Sequence, residues 1–292
     1  MIYIKIRGGL GNQMFQFAAA VALSKEKKTT IGIETSEFLK PDSNNYTSRV
    51  FELGDVFNLV DAQIVSKKSY NYLIEDNFFF KLKRKLFNGS VFYETNLAFD
   101  PTINKLSKNG YIEGYFQSEK YFLKYRESLL SLFTFSKKPS IKTTQTIAKI
   151  NKTSSIAIHI RRGDYQKNRE INNVHGVLPL SYYEDALKHF DLSESHLLFF
   201  SDDIDWVKES FNFLNQVNVT YVNWNTGKDS WQDLFLMSNC KHFIIANSSF
   251  SWWGAWLSTN ENKTVICPKQ WFADKNLNKN TSDLIPKRWI RI

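Results

Sequence analysis

Cysteine, proline and glycine are scarce in this chain. Its 292 residues include two cysteines, six prolines and twelve glycines. The two cysteines, Cys240 and Cys267, lack the spacing of a metal-binding pair, and nothing in a chain of this size demands a disulfide. We therefore expect both thiols to be reduced and buried. The scarcity of proline and glycine predicts that regular structure dominates.

Long apolar runs are also missing. No segment reaches the ~20 consecutive apolar residues of a membrane-spanning helix. The N-terminal "MIYIKIRGGLGNQ" enters a strand pattern without the apolar stretch of a signal peptide. No repeat, low-complexity tract or long linker interrupts the sequence. These absences predict a soluble, cytoplasmic protein.

The chain does contain enough apolar material for a large core. Hydrophobic residues make up 42% of it and aromatic residues 15%, which excludes intrinsic disorder. Length alone allows one domain or two. The polar segment "SKKPSIKTTQ" around Pro139 marks the expected boundary, with one domain at 1–140 and the other at 141–292.

Positive charge exceeds negative charge, with a formal net charge of +9. Nucleic acid, an anionic membrane surface and an anionic small substrate all fit this excess. The basic residues are spread out and form no nucleic-acid-reading motif. Their densest short cluster is "FFFKLKRKLF" at 78–87. It is either a solvated helix face beside a core stripe or a patch that rests on anionic lipid.

Alternating strand and helix patterns predict the fold class. The N-terminus has the order strand, glycine-rich loop, helix, strand. From 155 onward, strands are predicted at "SIAIHI", "HLLFFS", "VTYV", "HFIIAN" and "TVICP", with helices between them. The region 38–135 is rich in aromatic residues, and its pattern of strands and helices is less clear. Its segment "SEKYFLKYRESLLSLF" is predicted to be helical. Such alternation is typical of doubly wound parallel sheets, which bind ligands at the carboxyl ends of their strands.

The spacing of Ser181 and Glu184 is that of a capping box. In such a box the serine precedes the first helical turn and its side chain accepts a backbone N–H bond. The pair therefore predicts that the helix "SYYEDALKHF" opens at Ser181.

The segment "SSIAIHIRRGDYQK" at 154–167 ends an apolar strand with two arginines. His159 and Arg161 should share one face of the strand, and Arg162 should lie on the other. Arginine suits oxygen-rich anions, because its fork donates two parallel hydrogen bonds and never loses its charge. Asp164 can hold such a fork still. A purely structural arginine–aspartate pair is the alternative, and we favour an anion site.

The segment "IIANSSFSWWGAW" places Asn247 and Ser248 where a strand ends and a helix begins. The start of a helix presents free backbone N–H groups and the positive end of the helix dipole, which together suit a phosphate. The small side chains of Ser248, Ser249 and Ser251 allow close approach. Ordinary capping of the helix by serine is the alternative.

The loop "GGLGNQMFQ" also joins a strand to a helix. Gly9 and Gly11 match two glycines of the dinucleotide-binding fingerprint, but bulky Met14 occupies the third position. There is no Walker lysine either. Taken alone, the loop is equally well explained as a plain tight turn.

Two acidic segments each allow two interpretations. Asp203 and Asp205 form the D-x-D pattern of metal-dependent glycosyltransferases, but acids after a strand also cap the next helix, and we favour the cap. Asp233 follows Ser230 at capping spacing. A buried carboxylate at Asp233 can instead accept the paired N–H donors of a guanine edge. The residues alone favour the cap there too.

Three motifs occur in the order "RGGLGNQMFQFAAA" (7–20), "HIRRGDY" (159–165) and "NSSFSWWGAWL" (247–257). In this order they resemble the motifs of the galactoside α-1,2-fucosyltransferase family, and the resemblance covers nearly the whole chain. Eukaryotic members begin with a membrane anchor and a stem. This sequence shows neither and is similar to bacterial members.

The resemblance implies a GT-B-like α/β fold, in which two Rossmann-like doubly wound domains face a cleft. It implies inverting transfer of L-fucose from GDP-β-L-fucose to the 2-hydroxyl of a terminal galactoside, with no metal and no other cofactor. The C-terminal domain would bind GDP-fucose and the N-terminal domain would lie on the acceptor side. A bacterial member would act in surface polysaccharide synthesis.

The resemblance also implies roles for single residues. Arg161 would hold the β-phosphate, Asp233 would read guanine and Asn12 would approach the fucose or a phosphate. His159 would lie close to the nucleoside, and the serines and Phe250 would meet the phosphates at the helix start. The donor-binding residues expected in all are Gly9, Gly11, Asn12, His159, Arg161, Arg162, Asp233, Asn247, Ser248, Ser249 and Phe250.

The general base is not fixed by the sequence. Asp164, His175 and Glu170 are the candidates in that order, and the last two lie in "KNREINNVHGVLP", a loop expected to close over the site. A strongly dissociative reaction needs little help from a base. Arg161 completes the catalytic set, because it stabilises the charge on the departing diphosphate.

The expected partners are GDP-fucose and a galactose-terminated glycan, and nucleic acid is not expected. A peripheral contact with the inner face of the membrane is left open. The alternatives are a metal-dependent glycosyltransferase that uses another nucleotide sugar and a basic nucleic-acid-binding protein.

Overall fold

The computed structural model of the protein describes residues 1–39, 49–163 and 169–292. The chain forms two compact units. The first comprises Met1–Ser136 and Asn280–Ile285, and the second comprises Lys137–Lys279 and Pro286–Ile292. Each unit is built on its own parallel β-sheet with helices in the connections, as the alternating pattern predicts.

The first unit contains a five-stranded sheet among its described residues. Its strands are β1 (Ile2–Lys5), β2 (Ile31–Glu34), β3 (Ala62–Ile64), β4 (Gly89–Tyr93) and β5 (Asn109–Glu113). They lie in the order β3-β2-β1-β5-β4, and each of these pairs is parallel. The helices of this unit are α1 (Leu10–Lys27), α2 (Leu53–Val56), α3 (Asn71–Ile74), α4 (Phe78–Leu86) and α5 (Arg126–Leu132).

Helix α1 is buried on nearly every side, because its sequence is rich in alanine and large apolar residues around the whole helix. It ends where Lys28 adopts a left-handed conformation, with φ at 51°. Lys25 and Lys27 lie in its last turn, where positive charge complements the helix dipole. At the other end, Gln16 Oε1 of the helix accepts the Arg7 N–H at 2.9 Å, which holds the loop between β1 and α1.

The segment "SEKYFLKYRESLLSLF", predicted to be helical, forms α-helix only in its second half. Short 3-10 turns occupy Glu119–Tyr121 and Leu123–Tyr125, and α-helix begins only at Arg126. Tyr121 and Phe122 are buried, and the Tyr121 ring packs edge-on against Phe116, with 5.3 Å between ring centroids. Burial of consecutive aromatic side chains therefore overrides the helical periodicity.

The second unit contains a six-stranded sheet among its described residues. Its strands are β6 (Ser154–Ile160), β7 (Ser195–Ser201), β8 (Asn218–Val222), β9 (His242–Ile244), β10 (Val265–Cys267) and β11 (Ile290–Arg291). They lie in the order β11-β10-β9-β6-β7-β8, and each of these pairs is parallel. Counted from β6, this is the doubly wound order, in which chain progression reverses between β6 and β9.

The helices of the second unit are α6 (Ile141–Ile150), α7 (Arg169–His175), α8 (Leu180–Leu187), α9 (Ile204–Ser210), α10 (Trp231–Ser238), α11 (Ser249–Leu257) and α12 (Lys275–Asn278). Further 3-10 turns in the two units are Ser36–Leu39, Lys67–Ser69, Pro101–Lys105, Asn212–Leu214 and Gly227–Asp229. The predicted capping box at Ser181 is wrong. Helix α8 already begins at Leu180 with Pro179 as its N-cap, and the Tyr182 N–H bonds to the Pro179 carbonyl at 3.1 Å.

The core of the second unit lies on both faces of β6 and β7. These strands are continuous apolar runs, as expected of parallel strands that are covered on both sides. Helix α11 contributes three fully buried tryptophans, at positions 252, 253 and 256. Cys240 and Cys267 are free and buried, as predicted. None of the helices that the structure describes is long and apolar enough to cross a membrane.

Candidate active site

The reversal of strand order in the second unit brings two of the sequence motifs together. Strand β6 runs directly into Arg161 and Arg162, and strand β9 runs into Asn247 and Ser248 before α11 begins. Because β6 and β9 are neighbouring and parallel, these residues leave the sheet at the same edge. Open α/β sheets bind ligands at this position, so it is the candidate active site of the second unit.

Arg161 is held by Asp202, which follows β7. Arg161 Nη1 lies 3.3 Å from Asp202 Oδ2, and Asp202 Oδ1 accepts the backbone N–H groups of Arg162 at 2.9 Å and Gly163 at 3.0 Å. Burial alone would raise the pKa of Asp202, but Arg161 and the two N–H donors outweigh it and lower that pKa below its usual value. The carboxylate therefore stays charged and fixes both the turn and the Arg161 fork.

Sequence analysis missed Asp202 and assigned the holding role to Asp164, which lies outside the described residues. The signal for Asp202 is the register of β6 and β7, in which Ile160 pairs with Ser201. The next residues on the two strands are then Arg161 and Asp202. That pairing cannot be obtained until the neighbouring strands are aligned.

Arg162 has different partners. Its guanidinium carbon lies 4.2 Å from the centre of the Trp206 ring, and its Nε lies 3.3 Å from Asp203 Oδ2. Stacking on an aromatic face and pairing with a carboxylate both hold an arginine in place. Trp206 is a second residue that sequence analysis did not single out.

His159 is buried next to Arg161 and Phe250. It is 7% exposed, its ring centre lies 6.1 Å from that of Phe250, and its Nδ1 is buried without a hydrogen-bond partner among the described atoms. Burial, and next the charge of Arg161, lower the pKa of His159 to about 3, although Asp202 acts in the opposite direction. The imidazole is therefore neutral at pH 7, and its Nδ1 makes no hydrogen bond with the described atoms.

Helix α11 begins with the capping that serine favours. Ser248 is the N-cap residue, and its Oγ accepts the Phe250 N–H at 3.3 Å. Ser249 is the first residue of the helix, and Ser251 Oγ donates back to the carbonyls of Ser248 at 3.3 Å and Ala246 at 3.5 Å. The capping alternative is thus observed. The helix dipole remains directed at the same strand end.

Asn247 locks a neighbouring segment onto the end of β9. Its Nδ2 donates to the carbonyls of His175 at 2.7 Å, Trp271 at 3.1 Å and Gly176 at 3.3 Å. Its Oδ1 is buried and has no hydrogen-bond partner among the described atoms. Gly176 adopts a φ of +72°, which favours glycine in this turn. His175 is thereby brought to the site through its backbone.

The two described candidates for the general base differ in placement. The His175 ring packs against Phe272 with 5.5 Å between ring centres, and its carbonyl is bound by Asn247. Glu170 lies exposed on α7, in the first turn of that helix. The Asn247 bond therefore ties His175 to the strand end that carries Ser248.

Asp233 lies in the first turn of α10. The N-cap residue Ser230 makes no side-chain capping bond, while Asp233 Oδ1 accepts from Asn225 Nδ2 at 2.8 Å. Burial raises the pKa of Asp233 to about 7, although the Asn225 bond acts in the opposite direction. A carboxyl group poised near neutral pH in a partly buried position is typical of a functional site.

The glycine-rich loop of the first unit holds Asn12 at the start of α1. Gly8 has a φ of +78°, and a Cβ there would lie 2.8 Å from Asn12 Nδ2. Asn12 Oδ1 accepts from Gln117 Nε2 at 2.8 Å, which ties the loop after β1 to the segment after β5. The glycine that the turn requires is therefore Gly8, which sequence analysis did not single out.

The other residues of this loop explain the imperfect fingerprint. Gly9 is the N-cap residue of α1 with extended backbone, and Gly11 is buried in the first turn of that helix. Met14 is 0% exposed and belongs to the hydrophobic core. A third glycine would leave a cavity there, so the position is filled for packing.

The D-x-D pattern serves the local structure. Asp203 is the N-cap residue of α9 and accepts the Trp206 N–H at 3.4 Å, which confirms the favoured cap. The Asp205 side chain is 86% exposed and pairs with Lys208 at 3.1 Å. Within the described residues, no group of three or more His, Cys, Asp or Glu side chains is placed to hold a metal ion.

Comparison with known proteins gives one family. The profile described as glycosyl transferase family 11 matches residues 1–292. Two Escherichia coli relatives match over 100% of this chain: the O-antigen biosynthesis glycosyltransferase WbnK, at 36% identity over 100% of its length, and an alpha-1,2-colitosyltransferase, at 35% identity over 99%. The human galactoside alpha-(1,2)-fucosyltransferase 1 matches at 27% identity over 35% of this chain and 28% of its own.

A solved structure gives the same fold class. The Arabidopsis thaliana FUT1 mutant in complex with GDP superposes on 90% of this chain and 69% of its own, with a TM-score of 0.51 and 7% sequence identity. Together with the two parallel sheets, this likeness confirms the predicted GT-B-like class of two α/β domains.

Proposed function

The chain belongs to glycosyl transferase family 11, and from this premise we propose that it transfers L-fucose from GDP-β-L-fucose to the 2-hydroxyl of a terminal galactoside. Two named relatives support the α-1,2 linkage, and the human relative supports fucose and galactose as donor sugar and acceptor. The relative in O-antigen biosynthesis supports a role in building a surface polysaccharide. The three sequence motifs support the same activity.

The observation that carries the proposal is the pairing of Arg161 with Asp202 at the reversal point of the second sheet. Asp202 presets the guanidinium, and α11 directs its positive end to the same strand edge. We assign the diphosphate of GDP-fucose to this position, because a preset guanidinium and a helix start are both suited to phosphate oxygens. Neutral His159 lies next to Arg161, and we assign it to the nucleoside side of this position.

The reaction follows from these positions. The acceptor 2-hydroxyl oxygen attacks C1 of fucose on the face opposite the diphosphate, and the bond from C1 to the β-phosphate oxygen breaks. That bond's electron pair stays on the β-phosphate oxygen, where Arg161 and the start of α11 stabilise the added charge. Attack from the opposite face converts the β-linked donor into an α-linked product.

The proton of the 2-hydroxyl must also leave. Among the described candidates we assign it to His175, because Asn247 ties that residue to the strand end that carries Ser248. Asp233 is assigned to guanine, whose N1–H and 2-amino donors match the two oxygens of one carboxylate.

Colitose is the second candidate for the transferred sugar, since one relative at 35% identity is a colitosyltransferase. Colitose is fucose without its 3-hydroxyl. A site that binds this hydroxyl rejects the deoxy sugar strongly, because its own polar groups are then left unpaired. The two donors therefore separate the proposal from its alternative.

The test compares kcat/KM for GDP-fucose and GDP-colitose with one β-galactoside acceptor. We expect GDP-fucose to be favoured by roughly tenfold or more. The matched control is the 2-deoxygalactoside acceptor, which should give no product. A preference for GDP-colitose would replace the proposed donor, and transfer to the 2-deoxy acceptor would overturn the proposed linkage.

A further inference from the structure

Helix α4 of the first unit presents an apolar face to solvent. Phe78, Phe79, Leu82 and Leu86 are 76%, 79%, 59% and 77% exposed. A helix advances by about 100° per residue, which places these four side chains within an arc of about 100°. We call these four residues the α4 apolar face. Four large apolar side chains this exposed and this close together mark an interaction surface.

The orientation of α4 is fixed by its opposite side. Phe80 packs against the cluster that contains Tyr70 and Leu73. Arg84 donates from Nε to the Tyr72 carbonyl at 3.2 Å and from Nη2 to the Glu75 carbonyl at 2.9 Å. These contacts hold the inward side against the first unit. The apolar face is therefore the outward side of a docked helix.

Positive charge borders the apolar face on both sides. On the same helical geometry, Lys83 and Lys85 flank it on opposite edges, and α4 contains no acidic residue. Lys83 Nζ lies 5.0 Å from the centre of the Tyr72 ring. This contact is with an aromatic face and does not neutralise the positive charge of the lysine. The nearby acids are already compensated, because Asp76 pairs with Lys81 at 3.0 Å and Glu75 with Lys67 at 2.9 Å.

We propose that the α4 apolar face binds the surface of an anionic lipid bilayer. Apolar side chains flanked by lysines, on a helix that lies along a surface, are the features with which interfacial helices enter the headgroup region. The nine residues of α4 are too few to span a bilayer, which needs about 20. The net charge of +9 adds attraction to anionic lipid over the whole molecule.

Charge complementarity selects lipid over a second copy of the chain. A symmetric dimer through this face would bring the same patch against itself, and the bordering lysines of the two copies would then repel each other. An anionic bilayer instead pairs with the same lysines. The α4 apolar face belongs to the first unit and shares no residue with the candidate active site of the second unit.

The test is cosedimentation of the full-length protein with vesicles. Vesicles of phosphatidylcholine with about 30% phosphatidylglycerol should bind the wild type, and pure phosphatidylcholine vesicles should bind it much less. The Phe79→Ser/Leu86→Ser variant should lower the partition coefficient roughly tenfold or more, because it removes apolar area from the bilayer contact. The Lys83→Glu/Lys85→Glu variant should lower it by a similar factor.

Two matched controls use exposed residues of the second unit. Ile141→Ser/Phe213→Ser removes side chains that are 79% and 50% exposed, and it should leave vesicle binding unchanged. Lys137→Glu/Lys138→Glu lowers the net charge from +9 to +5, the same change as in the α4 lysine variant. This control should therefore reduce binding less than that variant does.

Three results of the vesicle experiment would overturn the proposal. In the first, the wild type fails to bind anionic vesicles. In the second, the α4 variants bind as well as the wild type, and in the third, each control loses as much binding as its α4 counterpart. Sedimentation equilibrium without lipid tests whether a second copy of the chain occupies the face instead. A dimer that Phe79→Ser/Leu86→Ser abolishes would assign the face to that second copy and would also overturn the proposal. Turnover with a soluble acceptor should be unchanged in every α4 variant, so failure of membrane binding is distinct from failure of the proposed activity.

Discussion

Replacing Asp233 with asparagine separates guanine recognition from a structural role. The change keeps the size of the side chain and removes its charge. Burial raises the pKa of Asp233 from its ordinary value of 3.8 to about 7, and a difference of one in pKa corresponds to about 1.4 kcal/mol. The ionised carboxylate therefore destabilises the ligand-free protein by an amount on the order of 4 kcal/mol relative to an unshifted group.

The sign of this effect follows from proton linkage. The folded protein holds the Asp233 proton more tightly than the unfolded chain does, so this group makes stability fall as pH rises from about 4 to about 7. Asp233→Asn should remove that loss. Its melting temperature without ligand should be equal to or above that of the wild type at pH 8, with little gain near pH 4.

Binding of GDP should respond in the opposite direction. The guanine N1–H and 2-amino groups donate to a carboxylate, and hydrogen bonds to charged groups contribute about 1.5–3 kcal/mol each. Asp233→Asn should therefore weaken GDP binding by roughly tenfold to several hundredfold. In the wild type, GDP affinity should fall as pH drops below about 7, because the bound form requires the carboxylate. The variant should lose the part of this dependence that comes from residue 233, while the titration of the terminal phosphate of GDP, with a pKa of about 6, affects both proteins alike.

The assay is calorimetric titration with GDP at pH 6, 7 and 8, with melting temperatures measured on the same preparations. Inosine diphosphate, which lacks the 2-amino group, is the matched ligand, and Asp229→Asn, an exposed neighbouring acid, is the matched variant. The wild type and Asp229→Asn should prefer GDP, and Asp233→Asn should not. Unchanged GDP affinity together with a loss of melting temperature would show that Asp233 only supports the local structure through Asn225, and it would refute the guanine assignment.

Three further predictions concern the phosphate position and metal. Arg161→Ala should lower kcat/KM by roughly a hundredfold or more. Arg161→Lys should recover only part of the lost kcat/KM, because lysine cannot donate two parallel hydrogen bonds. Near-normal turnover in either variant, if it is folded, would exclude the β-phosphate role. Asp202→Asn should reduce kcat about tenfold, because the amide lacks the negative charge that holds Arg161 in place. A lower melting temperature with unchanged kcat would instead assign Asp202 a role in folding alone. The turnover rate in excess EDTA should equal the rate without it. The Asp203→Asn/Asp205→Asn variant should keep this rate and lose about 1 kcal/mol of stability, because the helix cap is lost. Activity that collapses in EDTA and returns with Mn²⁺ or Mg²⁺ would favour the metal-dependent alternative.

The parts of the fold that sequence reasoning obtains are those fixed by local patterns. Strands β6 and β7 are buried on both faces, so their apolar runs are unambiguous. The alternation of these runs with helices then gives parallel sheets. The α-helix expected in segment 119–132 begins only at Arg126, because Tyr121 and Phe122 are buried in the core and local periodicity does not show that packing.

In the candidate site, too, the predictable residues are those that lie within a local sequence pattern. Arg161 and Ser248 are predictable because each follows an apolar strand within its own motif. Asp202 is not, because its partnership with Arg161 depends on the register between β6 and β7. The Asn247 bond to the His175 carbonyl joins segments 72 residues apart and is equally hidden. Partners of a motif from other strands require the fold to be known first.

The proposed activity forms an α-1,2-fucosyl linkage on galactose. The most direct measurement is incubation with GDP-fucose and a panel of β-galactosides, followed by NMR assignment of the linkage in the purified product. We expect an α-anomeric fucose on O2 of the terminal galactose. A β-anomeric product, a fucose on another galactose hydroxyl, or no transfer from GDP-fucose to any galactoside would contradict it.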